Sequence, residues 1–346
     1  MARVRYAVAG QPITHSLSPL LLALVHANLV KLDRTIGFRL ASHSLHLVDT
    51  AAVEDALAWG YAGFTPTAPH WDLTDAPFGK FRTDALMEKA VALGCSIEES
   101  DPRLLPTDDS SVSSQVLTEL KSTHFRKDVR LPTDFLEREV WMNFTSPLKH
   151  QLVSKAVVSI DESMELNSVN ALRWDGKSWW CAGVDGLGVV ALAHHHGVEA
   201  NSGAVLGLAG GGGAARSTAS AWRNAGGSVV LYQGRRELDS SYGDIEQHGV
   251  EAVDFAVDFD ECPSLPQSFS KAALNLNPRY ASMEGDVESR LQSLTKTPLD
   301  GRWMLVAQHL EAWQNLWAPH LKEYLPSLDL LLTQLVHAEN LLSTYA

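Results

Sequence analysis

Ala204-Val-Leu-Gly-Leu-Ala-Gly-Gly-Gly-Gly-Ala-Ala-Arg216 decides the fold. An apolar run suited to a buried strand stops at four consecutive glycines, and Ser217–Asn224 continues as a helix. Gly210-x-Gly212-x-x-Ala215 has the spacing of a dinucleotide loop. Its glycines allow a tight turn and a close approach of pyrophosphate to the backbone, and the helix N-terminus favours negative charge. Ser228–Tyr232 reads as the next strand, and that context separates such a loop from a flexible connector. Gly210, Gly211, Gly212, Gly213 and Ala214 are the expected cofactor cradle. Where NAD-binding folds carry an acidic residue after the second strand, this chain has Arg235 and Arg236. Arginines there suit a 2′-phosphate, so NADP is expected with NAD as the alternative. The same arginines also read as solvated charges.

Downstream, Val253–Phe255 and Ala272–Leu276 read as further strands. Arg302–Val306 leads into a helix through Trp313, and Leu325–Leu342 is an apolar C-terminal helix. Upstream, Arg3–Gly10 is a strand ending at a glycine, followed by Ser16-Leu-Ser-Pro19. An extended segment would turn both serine hydroxyls the same way. Ser18-Pro19 also reads as a helix start, with serine as N-cap and proline at the first position. Thr35–Leu40 suits a strand, and Val48–Trp59, Thr83–Leu93 and Leu152–Val158 suit helices.

Trp141-Met-Asn-Phe-Thr-Ser-Pro-Leu-Lys-His150 ends an apolar run in small polar residues, a proline and a lysine. Polar groups at a strand end sit where open α/β folds bind ligands. Asn143 and Thr145 can offer hydrogen bonds there, and Lys149 is either a cation or acid at a ligand site or a solvated surface lysine. Leu166–Leu172 reads as a strand carrying Asn170, a residue disfavoured in strands unless it has a buried partner or the strand ends there. Trp174–Trp180 is a hairpin turning at Asp175-Gly176, and Asp185 sits at an N-cap position after a glycine-rich turn.

The 346 residues suffice for two domains of ordinary size. A net charge of −13 argues against non-specific nucleic-acid or anionic-membrane binding. Cys95, Cys181 and Cys262 form no CxxC pair, which suits a reducing cytoplasm. There is no leader-like N-terminus and no apolar run of spanning length. His194-His195-His196 has no second ligand cluster at metal spacing, so no metal is expected.

Together the stretches resemble the shikimate dehydrogenase family, which includes quinate/shikimate dehydrogenases. Gly10-Gln-Pro-Ile-Thr-His-Ser-Leu-Ser-Pro19 resembles its Gly-x-Pro-x-x-His-Ser-x-Ser-Pro motif. Asn143-Phe-Thr-Ser-Pro-Leu-Lys149 is similar to Asn-Val-Thr-x-Pro-x-Lys, Ser168-Val-Asn170 to Ala-Val-Asn, and Val184-Asp-Gly-Leu-Gly188 to Thr-Asp-Gly-x-Gly. Gly210–Arg216 resembles the family's glycine loop, and Met304-Leu-Val-Ala-Gln308 its late Met-Leu-x-x-Gln. The resemblance implies a catalytic pair at Lys149 and Asp185. It implies that Ser16, Ser18, Asn143, Thr145, Asn170 and Gln308 hold shikimate, and that the reaction is metal-free reversible hydride transfer between NADPH and 3-dehydroshikimate.

Departures accompany it. Gly63-Phe-Thr-Pro-Thr-Ala-Pro-His-Trp71 resembles the lysine motif a first time, with Thr65 for asparagine and Trp71 for lysine. Gly183-Val184 replaces Asn-Thr, Gln233-Gly-Arg235 replaces Asn-Arg-Thr, and Asn277–Met304 lacks the family's strand with a substrate-facing tyrosine. The expected fold is α/β: an N-terminal open α/β substrate domain at 1–192, a Rossmann-like doubly wound domain at 193–305, and C-terminal helices at 306–346 packing back on the substrate domain. An insertion at about 72–140 would be a lid, a dimer contact or neither. A quinate or other cyclic hydroxy-acid dehydrogenase, or a non-catalytic dinucleotide- or metabolite-binding regulatory homologue, are the alternative functions. The expected partner is a small molecule, with homodimerisation left open.

Overall fold

The computed structural model describes residues 1–32, 36–62, 84–105, 124–232, 236–245, 252–262 and 265–344. Gly63–Trp71 and Arg235 lie outside these residues. The chain builds two sheets. The first contains β1 (Ala2–Gly10), β2 (Phe38–Asp49), β3 (Arg138–Phe144), β4 (Val157–Ser159), β5 (Ala171–Trp174) and β6 (Trp179–Ala182), in the order β2-β1-β3-β5-β6-β4. Strand β1 runs parallel to both β2 and β3. Strand β5 is antiparallel to β3 and β6. A strand with parallel neighbours is covered on both faces, which is why Tyr6–Gly10 is buried throughout.

The second sheet contains β7 (Val205–Ala209), β8 (Ser228–Tyr232), β9 (Asp244–Ile245), β10 (Phe255–Asp258) and β11 (Leu274–Leu276). Its order is β11-β10-β7-β8-β9 and every pairing is parallel. The first strand of this unit is central, with the next on one side and a later one on the other. That is the doubly wound arrangement, and its switch point lies at the C-terminal end of β7, where Gly210 follows.

The helices are α1 (Ser18–Lys31), α2 (Val53–Ala62), α3 (Asp84–Gly94), α4 (Asp185–His195), α5 (Gly213–Asn224), α6 (Gln267–Ser270), α7 (Val287–Leu294), α8 (Gly301–Ala312) and α9 (Leu328–Thr344). Helix α4 packs against both α5 and α8. Glycine permits that approach. A Cβ on Gly186 would lie 2.1 Å from the Ser217 carbonyl oxygen, and one on Gly188 would lie 2.8 Å from the Gln308 nitrogen. The expected divisions at 192/193 and 305/306 fall inside α4 and α8, each a continuous helix. Helix α9 packs on α1, α3, α7 and α8. Helix α3 lies in the span expected as an insertion, yet Met87 and Ala90 are buried in the core.

Four local expectations change. Val48 and Asp49 pair with Ala9 and Gly10 in the sheet, so the following helix starts only at Val53. Leu152–Val158 is a turn leading into β4, because Val157 and Val158 pair with β6. The strand expected from Leu166 begins at Ala171, just after Asn170. Ser18 is the first residue of α1, and Leu17 stands at the N-cap.

Candidate active site

Strand β3 ends at Phe144, and Pro147 introduces a single helical turn at Leu148–His150. This turn carries Lys149 to the start of α4. Its Nζ donates to Asp185 Oδ2 at 2.6 Å, with the lysine side chain 21% and the aspartate 1% exposed. Asp185 is not the N-cap: Val184 holds that position and makes no side-chain cap. Asp185 opens the helix, where the macrodipole favours a carboxylate, and its oxygen is thereby free for the ammonium. Asn170 joins these pieces. Its Oδ1 accepts from the Val184 N–H at 2.7 Å, and its carbonyl accepts from the Phe144 N–H at 2.9 Å. Its Nδ2 has no partner among the described residues and remains available to a ligand.

A second group of polar side chains is neutral. The Tyr6 hydroxyl donates to Asn143 Oδ1 at 2.5 Å, and Asn143 Nδ2 donates to the Asn170 carbonyl at 3.1 Å. Asn143 thus uses both ends of its carboxamide inside the protein. Ser18 lies near the Tyr6 phenol and Ser16 near the Tyr280 phenol. Burial pushes the Tyr6 phenol well above its ordinary range and the Tyr280 phenol up to about 12. Both stay protonated donors. The two serines do not converge through an extended segment, since Leu17 has helical angles (φ −86°, ψ −5°). They converge because the chain turns into α1 there, with Ser16 Oγ accepting from the Ser18 N–H at 3.3 Å.

Tyr280 is a residue the sequence reading misses, since no strand bearing a tyrosine is marked after Asn277. It lies in the irregular stretch after β11, where no hydrophobic period signals it. The buried Arg302 sets its position. Arg302 donates to the Ala281 carbonyl at 2.6 Å and stands 5.5 Å from the Tyr280 ring centre. Thr145 stands over β1's end: a Cβ on Gly10 would lie 2.2 Å from its Cγ2. Gln308 is half-buried and meets α4 one turn after Asp185, at Gly188.

The glycine loop is a cradle at backbone scale. Gly210 has φ +116°, a conformation that side chains resist. A Cβ on Gly211 would lie 2.6 Å from the Glu237 carbonyl oxygen. One on Gly212 would lie 3.5 Å from the Arg236 guanidinium. Gly212 caps α5, and Gly213 and Ala214 are its first residues. Exposed Arg236 therefore sits beside the loop, with its backbone N–H held by Asp260 at 2.9 Å. These residues fit a dinucleotide phosphate with a further phosphate near Arg236. A Cβ on Gly213 would lie 3.4 Å from Lys149 Cβ, so the cradle borders the lysine–aspartate pair. Arg216 clamps the border, donating to the carbonyls of Gly211 at 2.9 Å and Asn167 at 2.8 Å. Among the described residues, no His, Cys, Asp and Glu side chains are grouped to hold a metal ion.

No family model matches the chain. A shikimate dehydrogenase (NADP(+)) from Natronomonas pharaonis is 27% identical over 192 residues, which is 50% of this chain and 71% of the relative. Shikimate 5-dehydrogenase from Thermus thermophilus, solved in complex with shikimate, superposes with a TM-score of 0.53 at 17% identity, covering 98% of this chain and 100% of that one. The Mycobacterium tuberculosis shikimate dehydrogenase gives 0.53 at 14% identity, covering 97% and 99%. An Ael1 enzyme from Pseudomonas putida gives 0.52 at 19% identity, covering 93% and 94%. At these identities the solved structures bear on the fold, which they share with this chain.

Proposed function

We propose that this chain, a homologue of the shikimate dehydrogenases, catalyses the reversible NADP-dependent reduction of 3-dehydroshikimate to shikimate. The observation that carries the reading is the 2.6 Å Lys149–Asp185 pair at the edge of the glycine cradle. In this reading the first sheet with its helices holds substrate, the second holds the cofactor, and α4 and α8 run between them. Ser16, Ser18, Tyr280, Thr145, Asn170 and Gln308 face the substrate, while Tyr6 fixes Asn143 from behind. Three free cysteines suit a cytoplasmic setting.

Gly210–Ala214 and Arg236 would hold NADP, whose nicotinamide exchanges a hydride with C3 of the substrate. The protein's part is proton management at the C3 oxygen. Lys149 donates its proton to that oxygen as negative charge builds there in the reducing direction, and accepts it back in the other. Asp185 fixes the ammonium in one place, so less of the barrier is spent on orientation. The neutral hydroxyls of Ser16, Ser18 and Tyr280 receive the substrate carboxylate as donors.

Replacing Lys149 by methionine keeps most of the stem and removes the proton. Lys149→Met should lower kcat for NADP-dependent oxidation of shikimate by about a thousandfold while the protein stays folded. Unchanged turnover would remove Lys149 from the reaction. A wild-type protein with no turnover of shikimate or quinate would overturn the enzymatic reading itself.

A further inference from the structure

The turn that presents Asp185 is held from two sides. Asn170 takes the Val184 N–H, and Asp161 takes the Gly183 N–H with Oδ2 at 2.8 Å. Asp161 is fully buried, and its Oδ1 accepts from the Ser163 N–H at 2.9 Å and the Ser159 hydroxyl at 3.2 Å. A sealed carboxylate is costly unless its oxygens are satisfied. A further polar group faces it from the stretch before β3. His124, itself buried, brings Nε2 to 3.8 Å from the same Oδ2 that holds Gly183.

The other ring nitrogen fixes the tautomer. His124 Nδ1 stands 3.3 Å from Asn224 Nδ2, at the end of α5. An amide nitrogen can only donate, so Nδ1 accepts and the ring proton sits on Nε2, toward Asp161. The backbone anchors the segment too, since the Arg126 N–H donates to the Ile160 carbonyl at 2.9 Å. Gly183 completes the fit: a Cβ there would lie 2.9 Å from Ser163 Cβ. A bare backbone amide is therefore what Asp161 meets.

We infer that His124 is a positioning residue for the reaction, acting through Asp161 on the Gly183–Asp185 turn and tying that turn to α5 of the cofactor-side sheet. The span that reads as an appendage in the sequence thus supplies the outermost link of a chain, Asn224–His124–Asp161–Gly183, that ends beside Lys149. The inference rests on the dehydrogenase reading, and it carries one readout that does not.

The test uses His124→Ala and His124→Gln in the full-length protein. Loss of the imidazole should lower kcat for shikimate about tenfold with KM within twofold, because the turn loses its fixed geometry while the hydroxyl pocket is untouched. Deuterium exchange of the peptide spanning Gly183–Asp185 should accelerate. Glutamine, whose amide can donate toward Asp161, should recover both effects. A lowered melting temperature with kcat and local exchange unchanged would reduce His124 to a packing residue and overturn the inference. If the wild type turned over neither shikimate nor quinate, the function above would fail, and the exchange result alone would decide whether His124 holds the turn.

Discussion

Two ion pairs with aspartate or glutamate at their centre sit in very different places. Lys149–Asp185 lies beside the glycine cradle, with a 2.6 Å contact and a lysine 21% exposed. Arg302–Glu339 is sealed, with side chains 0% and 2% exposed and two bonds of 2.9 and 2.6 Å. Burial works against the Arg302 charge, but the bonds to Glu339 more than offset it and raise the guanidinium above its usual range. The sealed pair fixes α8 to α9. The pair beside the cradle uses lysine, a compact cation, and leaves it partly exposed. In the proposed reaction the chemistry falls on the open pair and the architecture on the sealed one.

That contrast can be broken most severely at Arg302. Arg302→Met should lower stability by about 3–5 kcal/mol, because Glu339 would be left buried without a partner. Denaturant unfolding measures it. Adding Glu339→Leu should recover most of the loss, as replacing both members of a buried pair is often neutral. Lys149→Met should act mainly on activity. It also leaves the buried Asp185 without its partner, but the opening that leaves the lysine 21% exposed admits water, so its stability loss should be the smaller of the two. If Arg302→Met were as stable as Lys149→Met, the division between the two pairs would fail.

Acid should act on the architectural side first. His309 is fully buried between α8 and its neighbours, and burial pushes its pKa down to about 3. The unfolded chain binds the proton near pH 6.5 and the folded one does not, so stability is whole above that value and falls as pH drops toward 3. The loss should be on the order of a few kcal/mol, and His309→Leu should flatten that part of the curve. An unchanged slope in the variant would assign the acid sensitivity elsewhere, for example to His26, lowered to about 4 by burial.

A smaller effect belongs to the neutral pocket. Tyr280→Phe removes one donor and keeps the ring under Arg302. It should raise KM for shikimate by roughly fivefold, about 1 kcal/mol, with kcat nearly unchanged. A drop in kcat instead would put Tyr280 with the reacting atoms.

Much of this was legible because the chemistry needs contiguous residues. The glycine loop must follow one strand and open one helix, so Ala204–Asn224 could be read directly. Lys149, Asn170 and Asp185 each stand at an element boundary marked by proline, asparagine or glycine. Tyr280 and His124 could not be read this way. Both sit in irregular segments, where only tertiary packing decides what a side chain meets, and no period or turn signal announces it. Leu152–Val158 misled for another reason: a short apolar run is compatible with helix or strand, and its pairing with β6 settled the choice.

The glycines of α4 have a mechanical consequence. With Ser217 backbone against Gly186 and Gln308 backbone against Gly188, the three helices meet at backbone distance, and the Ser217 hydroxyl ties α5 to the Gly186 N–H at 3.0 Å. A displacement of α8, which carries Gln308, has no slack to be absorbed in. It is handed on to α4, which begins with Asp185, and to α5, which begins at the cradle. In the proposed reaction, substrate grip, proton donor and cofactor seat would share one stiff axle.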